Sequence, residues 1–335
     1  MSILQPSSEN VLKTTNYFQN LTYGATPIAF HNLISYWARK TAGADFFMTQ
    51  EADSKGFQKP SRSISISQIL SSINPSFKSP LFIVGAPRSG TTFLGNCIGV
   101  LPEYSYHFEP VATVGASRYV YHSQWSFQQA SSFYRLVYKW LMRINLDGDL
   151  KFAEKSPDNC FLMPFLYQCF PNAKFIHIIR DGRDATLSNA KKPWLSSSSN
   201  GLGLREPSGY LLGSHPRYWV EPERTHEFQQ TSDVHRCIWC WRRHTEAALN
   251  HANSLPSGQY FEIYYESLVT DPKAYAGKIL DFLEIDQSES KVVFQSALCK
   301  ASKTSVGTWK QEFSEQQQET IDKEAGELLR NLSYQ

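Results

Sequence analysis

The sequence predicts an α/β fold, a central parallel sheet flanked by helices. Three observations carry the prediction. Short apolar runs that do not alternate with polar residues, such as Pro80-Leu-Phe-Ile-Val-Gly85 and KFIHII over 174–179, read as strands buried on both faces. Each is followed by a stretch with helical spacing, the alternation expected of parallel strands joined by crossovers. The chain has 335 residues, 41% hydrophobic and 19% charged, which suits a globular protein with a substantial core.

Taken in order, the first 15 residues (MSILQPSSENVLKTT) are polar and lack the apolar core of a signal peptide. Thr26-Pro27 followed by Ile28, Phe30, Leu33, Ile34 and Trp37 predicts a capped helix with one apolar face. Residues 1–78 therefore read as an N-terminal helical extension, with a polar connecting stretch over 49–63. After the strand ending at Gly85, residues 91–101 have helical spacing and Pro102 stops them. A second strand–helix pair spans 149–154 (DLKFAE) and 157–170; a third spans 174–179 and 181–191. A long helix is expected over 233–253, a late strand over 259–265 (QYFEIYY), and helices over 272–283 and 315–332. Residues 79–310 form the main domain and 311–335 a C-terminal helix. Within the domain, 193–230 carries a run of four serines, several Gly and Pro, and Trp194, Tyr210, Tyr218 and Trp219. So long an irregular stretch in a compact domain reads as an inserted, lid-like segment over a substrate.

The bulk numbers exclude several classes. A formal charge of +2 is too small to hold nucleic acid or an anionic membrane as the main partner. No run approaches the roughly 20 apolar residues of a membrane span. With no such span and no leader, the expected location is cytoplasmic. The six cysteines lie mostly within apolar runs, as buried free thiols do. Cys237-x-x-Cys240 has no second pair to complete a zinc site, so no metal ligand set is expected.

The chemistry begins at Gly85-Ala-Pro-Arg-Ser-Gly90-Thr91-Thr92. This keeps the Gly-x4-Gly spacing of a P-loop between a strand and a helix, so the domain is P-loop-type. Glycines let backbone N–H groups converge on an anion, and the following helix points its positive end there. Thr91, however, stands where a nucleotide triphosphatase needs the lysine that reaches the β- and γ-phosphates. The loop's one cation is Arg88, and ATP hydrolysis is disfavoured. Further on, Arg180 ends an apolar strand, where its guanidinium can grip a phosphate bidentately. The rival reading, with Asp181 holding Mg²⁺ as in a Walker B strand, sets the metal beside a repelling arginine. Arg183 reads as a surface or helix-capping charge.

The stretch Pro87-Arg88-Ser89-Gly90-Thr91-Thr92 resembles the 5′-phosphosulfate loop of sulfotransferases that use 3′-phosphoadenosine-5′-phosphosulfate (PAPS). It is nearest the branch that includes tyrosylprotein sulfotransferases and bacterial relatives. The resemblance runs from about Leu81 to Lys310 and recurs at three further places. Arg180 and Ser188 have the spacing of the family's 3′-phosphate motif. Tyr264-Tyr265-Glu266 is similar to a late strand whose tyrosine, here Tyr265, lies near the nucleotide. Residues 302–310 (SKTSVGTWK) look like a degraded Arg-Lys-Gly-x-x-Gly-Asp-Trp-Lys loop, with Ser302 for the Arg, Thr304 for the Gly, and Lys303 in place.

The resemblance implies a sulfotransferase-like fold and donor contacts from Arg88, Ser89, Gly90, Thr91, Thr92, Arg180, Ser188, Tyr265 and Lys303, with the spent bisphosphate (PAP) as product. It implies transfer to a hydroxyl of a small molecule, carbohydrate, lipid or peptide, with no metal required. Lys155, just past a parallel strand's end where such sheets place their sites, matches the family's catalytic lysine. Arg88 joins it in neutralising charge. The cytosolic branch uses a His two residues after the lysine, but Pro157 stands there. Glu109 occupies the position of the base in the tyrosylprotein branch, with His107 as a rival base or orienter on the same side of a period-two strand. Two other readings stand beside this one. A small-molecule kinase on the same fold would need ATP and Mg²⁺. A non-catalytic module sensing the bisphosphate would keep Arg180 and Ser188 yet tolerate loss of Lys155 and Glu109.

Overall fold

Five short strands carry the core: β1 Leu81–Val84, β2 Tyr104–Phe108, β3 Lys151–Lys155, β4 Lys174–Ile179 and β5 Tyr260–Tyr264. The computed structural model describes Phe57 and residues 65–206 and 208–334; the helix expected from Thr26-Pro27 lies outside these. The strands form one all-parallel sheet in the order β2-β3-β1-β4-β5. β1 is central, pairing Ile83 with Lys155 on one side and with Ile176 on the other. Its four side chains are fully buried, which is why the run does not alternate.

Alternation along each strand sends successive side chains to opposite faces. Phe82, Phe152 and Phe175 face one core with Tyr134 and Tyr138 of the helix Phe127–Ile144. Leu81, Ile83, Ala153 and Ile176 face the other, with the helices Thr91–Gly99 and Pro272–Leu283. A third cluster joins the helices Gly182–Ala190, Asp233–Ala252 and Glu315–Asn331.

The expected elements appear within a residue or two, with two differences. Residues 157–170 are not one helix. Pro157–Phe161 forms a 3₁₀ turn, and an α-helix restarts at Met163–Cys169 with Pro164 in its first turn, where a missing N–H costs nothing. The inserted segment is not structureless either. It holds two 3₁₀ turns, a bridge between Arg205 and Leu211, and the helix Thr225–Gln230. Leu195, Tyr218, Trp219, Val220 and Phe228 are buried in the main core, so its second half is part of the wall. Both Cys237 and Cys240 are buried free thiols, raised by burial.

Candidate functional site

A parallel sheet ends all its strands on one edge, and here each strand delivers one expected residue to it. β1 leads into the phosphate loop, β2 into Glu109, and β3 ends on Lys155. β4 leads into Arg180 and β5 into Tyr265. Residues more than 150 positions apart thus meet because their strands are neighbours and parallel.

In the phosphate loop, Gly90 has φ +95 and is the N-cap of the helix Thr91–Gly99, with no side chain capping it. The first N–H groups of that helix are therefore available to an anion. A Cβ on Gly90 would lie 2.7 Å from the Tyr265 ring, so only glycine fits both the backbone and the packing. Arg88 also lies in the left-handed region, at φ +70, uncommon for a residue with a side chain. Ser89 is fully buried and its hydroxyl has no hydrogen-bond partner among the described residues.

Four of the expected donor residues are linked to one another. Arg88 donates from Nε to Ser188 Oγ at 3.0 Å. Arg180 donates from Nη1 to the Arg88 carbonyl (3.0 Å) and from Nη2 to the Ser305 carbonyl (2.5 Å). Its guanidinium stands 4.8 Å from the centre of the Tyr265 ring. Tyr265 in turn donates to the Ser302 carbonyl at 3.2 Å. Lys303 stands apart, exposed on the loop that follows. Asp181 caps the next helix through the Arg183 N–H and pairs with the Arg183 guanidinium at 2.8 Å. Arg183 lies 4.0 Å over the Trp309 ring, so its charge is packed on Trp309 and paired with the capping Asp181.

The second centre is a buried ion pair. Lys155, 2% exposed, donates to Glu109 Oε1 and has its Nζ 3.8 Å from the centre of the Phe108 ring. Burial pushes the Lys155 ammonium below its usual range; Glu109 opposes that, and the Arg88 charge adds to it. Arg88 therefore lies within electrostatic reach of the pair. Glu109 keeps 21% of its side chain exposed, which leaves it an approach from solvent. Its N–H donates to the Lys155 carbonyl at 2.9 Å, and its φ of +36 takes it out of the strand's alternation. His107 stays in the strand. It is buried, stacked on Phe152 at 5.0 Å and hydrogen-bonded through Nε2 to Ser105 Oγ at 2.9 Å, while Ser105 donates to Asp147 at 2.8 Å. The expectation that His107 and Glu109 share one side of a strand fails because β2 ends at Phe108.

Two acidic residues were not singled out from the sequence. Glu154, beside Lys155, is fully buried and accepts from the Tyr138 hydroxyl. Burial drives its carboxyl up to about 7, against the hydrogen bond from Tyr138. Asp184 lies one helical turn before Ser188 and accepts from Gly307 N (2.6 Å), Thr308 Oγ1 (3.1 Å) and Trp309 N (3.1 Å). The i, i+4 spacing to Ser188 was its only sequence signal. Among the described residues one group, Glu227, His235 and Glu324, approaches metal-ligand spacing. Glu324 also receives Arg224 and Arg242 at 2.8 Å each, and two guanidiniums repel a cation.

A sequence model described as "Sulfotransferase family" matches residues 116–289, just over half of the chain. The chain is 24% identical over 218 residues to "Protein-tyrosine sulfotransferase A" of Caenorhabditis elegans, which covers 61% of this chain and 50% of that protein. It is likewise 24% identical over 223 residues to "Protein-tyrosine sulfotransferase" of Drosophila melanogaster, covering 63% and 39%. The chain thus spans about half the length, or less, of these two curated relatives. Among solved structures, sulfotransferase STF9 from Mycobacterium avium aligns with a TM-score of 0.47 at 15% identity, covering 79% of this chain and 80% of that one. Mouse sulfotransferase SULT7A1, complexed with PAP, aligns with a TM-score of 0.42 at 18% identity, covering 80% and 91%.

Proposed function

The chain belongs to the sulfotransferase family, and from that premise we propose that it moves a sulfuryl group from PAPS to an acceptor hydroxyl, with Glu109 as base and Lys155 and Arg88 neutralising charge. The observation that carries the reading is the buried Lys155–Glu109 pair, set where β2 and β3 end and within electrostatic reach of the phosphate loop.

The residues present fit the donor. Ser89 Oγ and Arg180 Nε are buried without hydrogen-bond partners among the described residues, as expected of groups reserved for a ligand. The uncapped N–H groups after Gly90, with Arg88, Ser89, Thr91 and Thr92, would hold the 5′-phosphosulfate end. Arg180, Ser188, Tyr265 and Lys303 would hold the rest of the nucleotide. The donor supplies an activated sulfuryl group with a good leaving phosphate.

The ion pair suggests how the chain's own groups divide the work. In the pair, Glu109 offers its carboxylate oxygens as a proton acceptor and Lys155 offers its Nζ as a hydrogen-bond donor, with Glu109 opposing the effect of burial on the ammonium. With the donor bound, Lys155 would supply positive charge to the donor's oxygens, and Glu109 Oε would then be free to take the acceptor's hydroxyl proton. Each step needs the other, so neither charge is left unpaired in a dry site. The relatives' names make a peptide tyrosine the first acceptor to test.

Calorimetry with PAP against ATP and Mg²⁺ separates this reading from a kinase: PAP should bind and ATP should not. Turnover of labelled PAPS, lost on Lys155→Ala and Glu109→Gln while PAP still binds, separates it from a non-catalytic module. Binding of ATP with Mg²⁺ in place of PAP would sink the reading.

A further inference from the structure

We propose that Asp184 is a positioning residue that sets recognition of the donor's 3′-phosphate, by fixing residues 302–309 against the phosphate loop; the proposal rests on the donor reading above. Asp184 is 1% exposed, and among the described residues no basic side chain lies within ion-pair distance of it. A carboxylate buried without a cation is stabilised by the hydrogen bonds it accepts. Here three come from one loop: the N–H groups of Gly307 and Trp309 and the Thr308 hydroxyl. Gly307 has φ +73, and that turn is part of what presents its N–H to the carboxylate.

What this anchor positions is visible two residues earlier. The Ser305 carbonyl accepts from Arg180 Nη2, while the other Nη of Arg180 goes to the Arg88 carbonyl. Arg180 therefore spans the two loops. The helix Gly182–Ala190 fastens both of them from one face, Asp184 holding residues 307–309 and Ser188, one turn on, holding Arg88. The loop itself has little charge for a phosphate. Ser302 and Thr304 bring none, and Lys303 is exposed. With so few cations, the placing of Arg180 and of the backbone between 302 and 309 decides the grip.

The test is calorimetry on the full chain with two probes, PAP and 5′-AMP, which lacks the 3′-phosphate. Asp184→Asn keeps the side chain's size but turns one acceptor into a donor facing N–H groups. It should weaken PAP at least about tenfold, the effect of losing one or two charge-assisted hydrogen bonds, while AMP changes less than about twofold. Hydrogen exchange at the amides of 302–309 should rise in the same variant. Thr308→Val, which removes one donor from the loop side, should give a smaller loss in the same direction and serves if Asp184→Asn does not fold. Equal weakening of both probes, or none, overturns the proposal, since a merely structural role would not discriminate between them. A wild-type chain that binds neither probe overturns the donor reading itself, and the proposal with it.

Discussion

Two corners of the molecule bury carboxylates in opposite company. At the sheet's edge, Glu109 and Glu154 lie near a single lysine, Lys155. Where the inserted segment meets the C-terminal helix, one carboxylate, Glu324, receives Arg224, Arg242 and His235, each at 2.8 Å. The consequence shows in proton affinity. Burial drives Glu154 up to about 7. Burial also pushes Glu324 upward, but hydrogen bonds from His235 and Arg224 and the charges of Arg242 and Arg224 outweigh it and leave the carboxyl at about 2. Where cations are few, burial wins and a carboxyl holds its proton to higher pH. Where one carboxylate accepts from several cationic partners, the charges lock together and the corner works as a fastener.

The sharpest break of that contrast is Lys155→Ala. Removing the lysine that pairs with Glu109 should cost about 10³-fold in turnover of labelled donor, with PAP affinity changed by less than about threefold. Glu109→Gln should follow at about 10²-fold, read by the same turnover measurement. In the other corner, Glu324→Ala takes the shared carboxylate from Arg224, Arg242 and His235, while Glu227 still pairs with Arg224, and Glu221 and Glu246 with Arg242. Chemical denaturation should show a loss of about 2 kcal/mol, the scale of losing charge-assisted hydrogen bonds, with turnover per folded molecule unchanged; a loss of turnover alone would mean that the clasp is part of the site.

The smallest effect concerns pH. Below its ordinary value of 4.5, Glu154 holds its proton whether the chain is folded or not. Above that the unfolded chain gives it up while the folded chain keeps it until about 7, so stability should fall as pH rises across this window. Glu154→Gln keeps an acceptor for Tyr138 and should flatten the curve by about 2 kcal/mol at most between pH 5 and 7. Glu324 has the opposite sign: its contribution is present above 4.5 and is lost as pH falls toward 2. If Glu154→Gln leaves the slope intact, the proton sits elsewhere.

How much of this was legible in the sequence follows from how local each signal is. β1 and β4 are continuous apolar runs that end in charged or glycine-rich turns, and both were readable to within a residue. The helix Phe127–Ile144 has equally local signals, the capping pair Ser126 and Gln129 and the spacing of Phe133, Tyr134, Val137 and Tyr138, yet it is not among the elements expected above. The phosphate loop was readable because its backbone demands glycine at Gly90. The partners of Asp184 and Glu324 were not readable. They depend on which helix packs beside which loop, and a lone acidic residue on a helix looks the same whether it faces water or a buried backbone N–H.

The sheet order has a consequence for how the molecule comes into being. No two neighbouring strands can pair without a crossover between them, and β1 waits for β4, more than 90 residues later, on one flank. Such distant pairings make folding slow, because the chain closes long loops before any contact rewards it. The site gathers residues from Gly85 to Trp309, so a chain emerging from the ribosome holds the phosphate loop long before it holds the residues that complete it. Competence to bind the nucleotide should therefore arrive late, close to the moment the C-terminal helix closes its clasp, and a nucleotide added during refolding should speed the final step rather than the first.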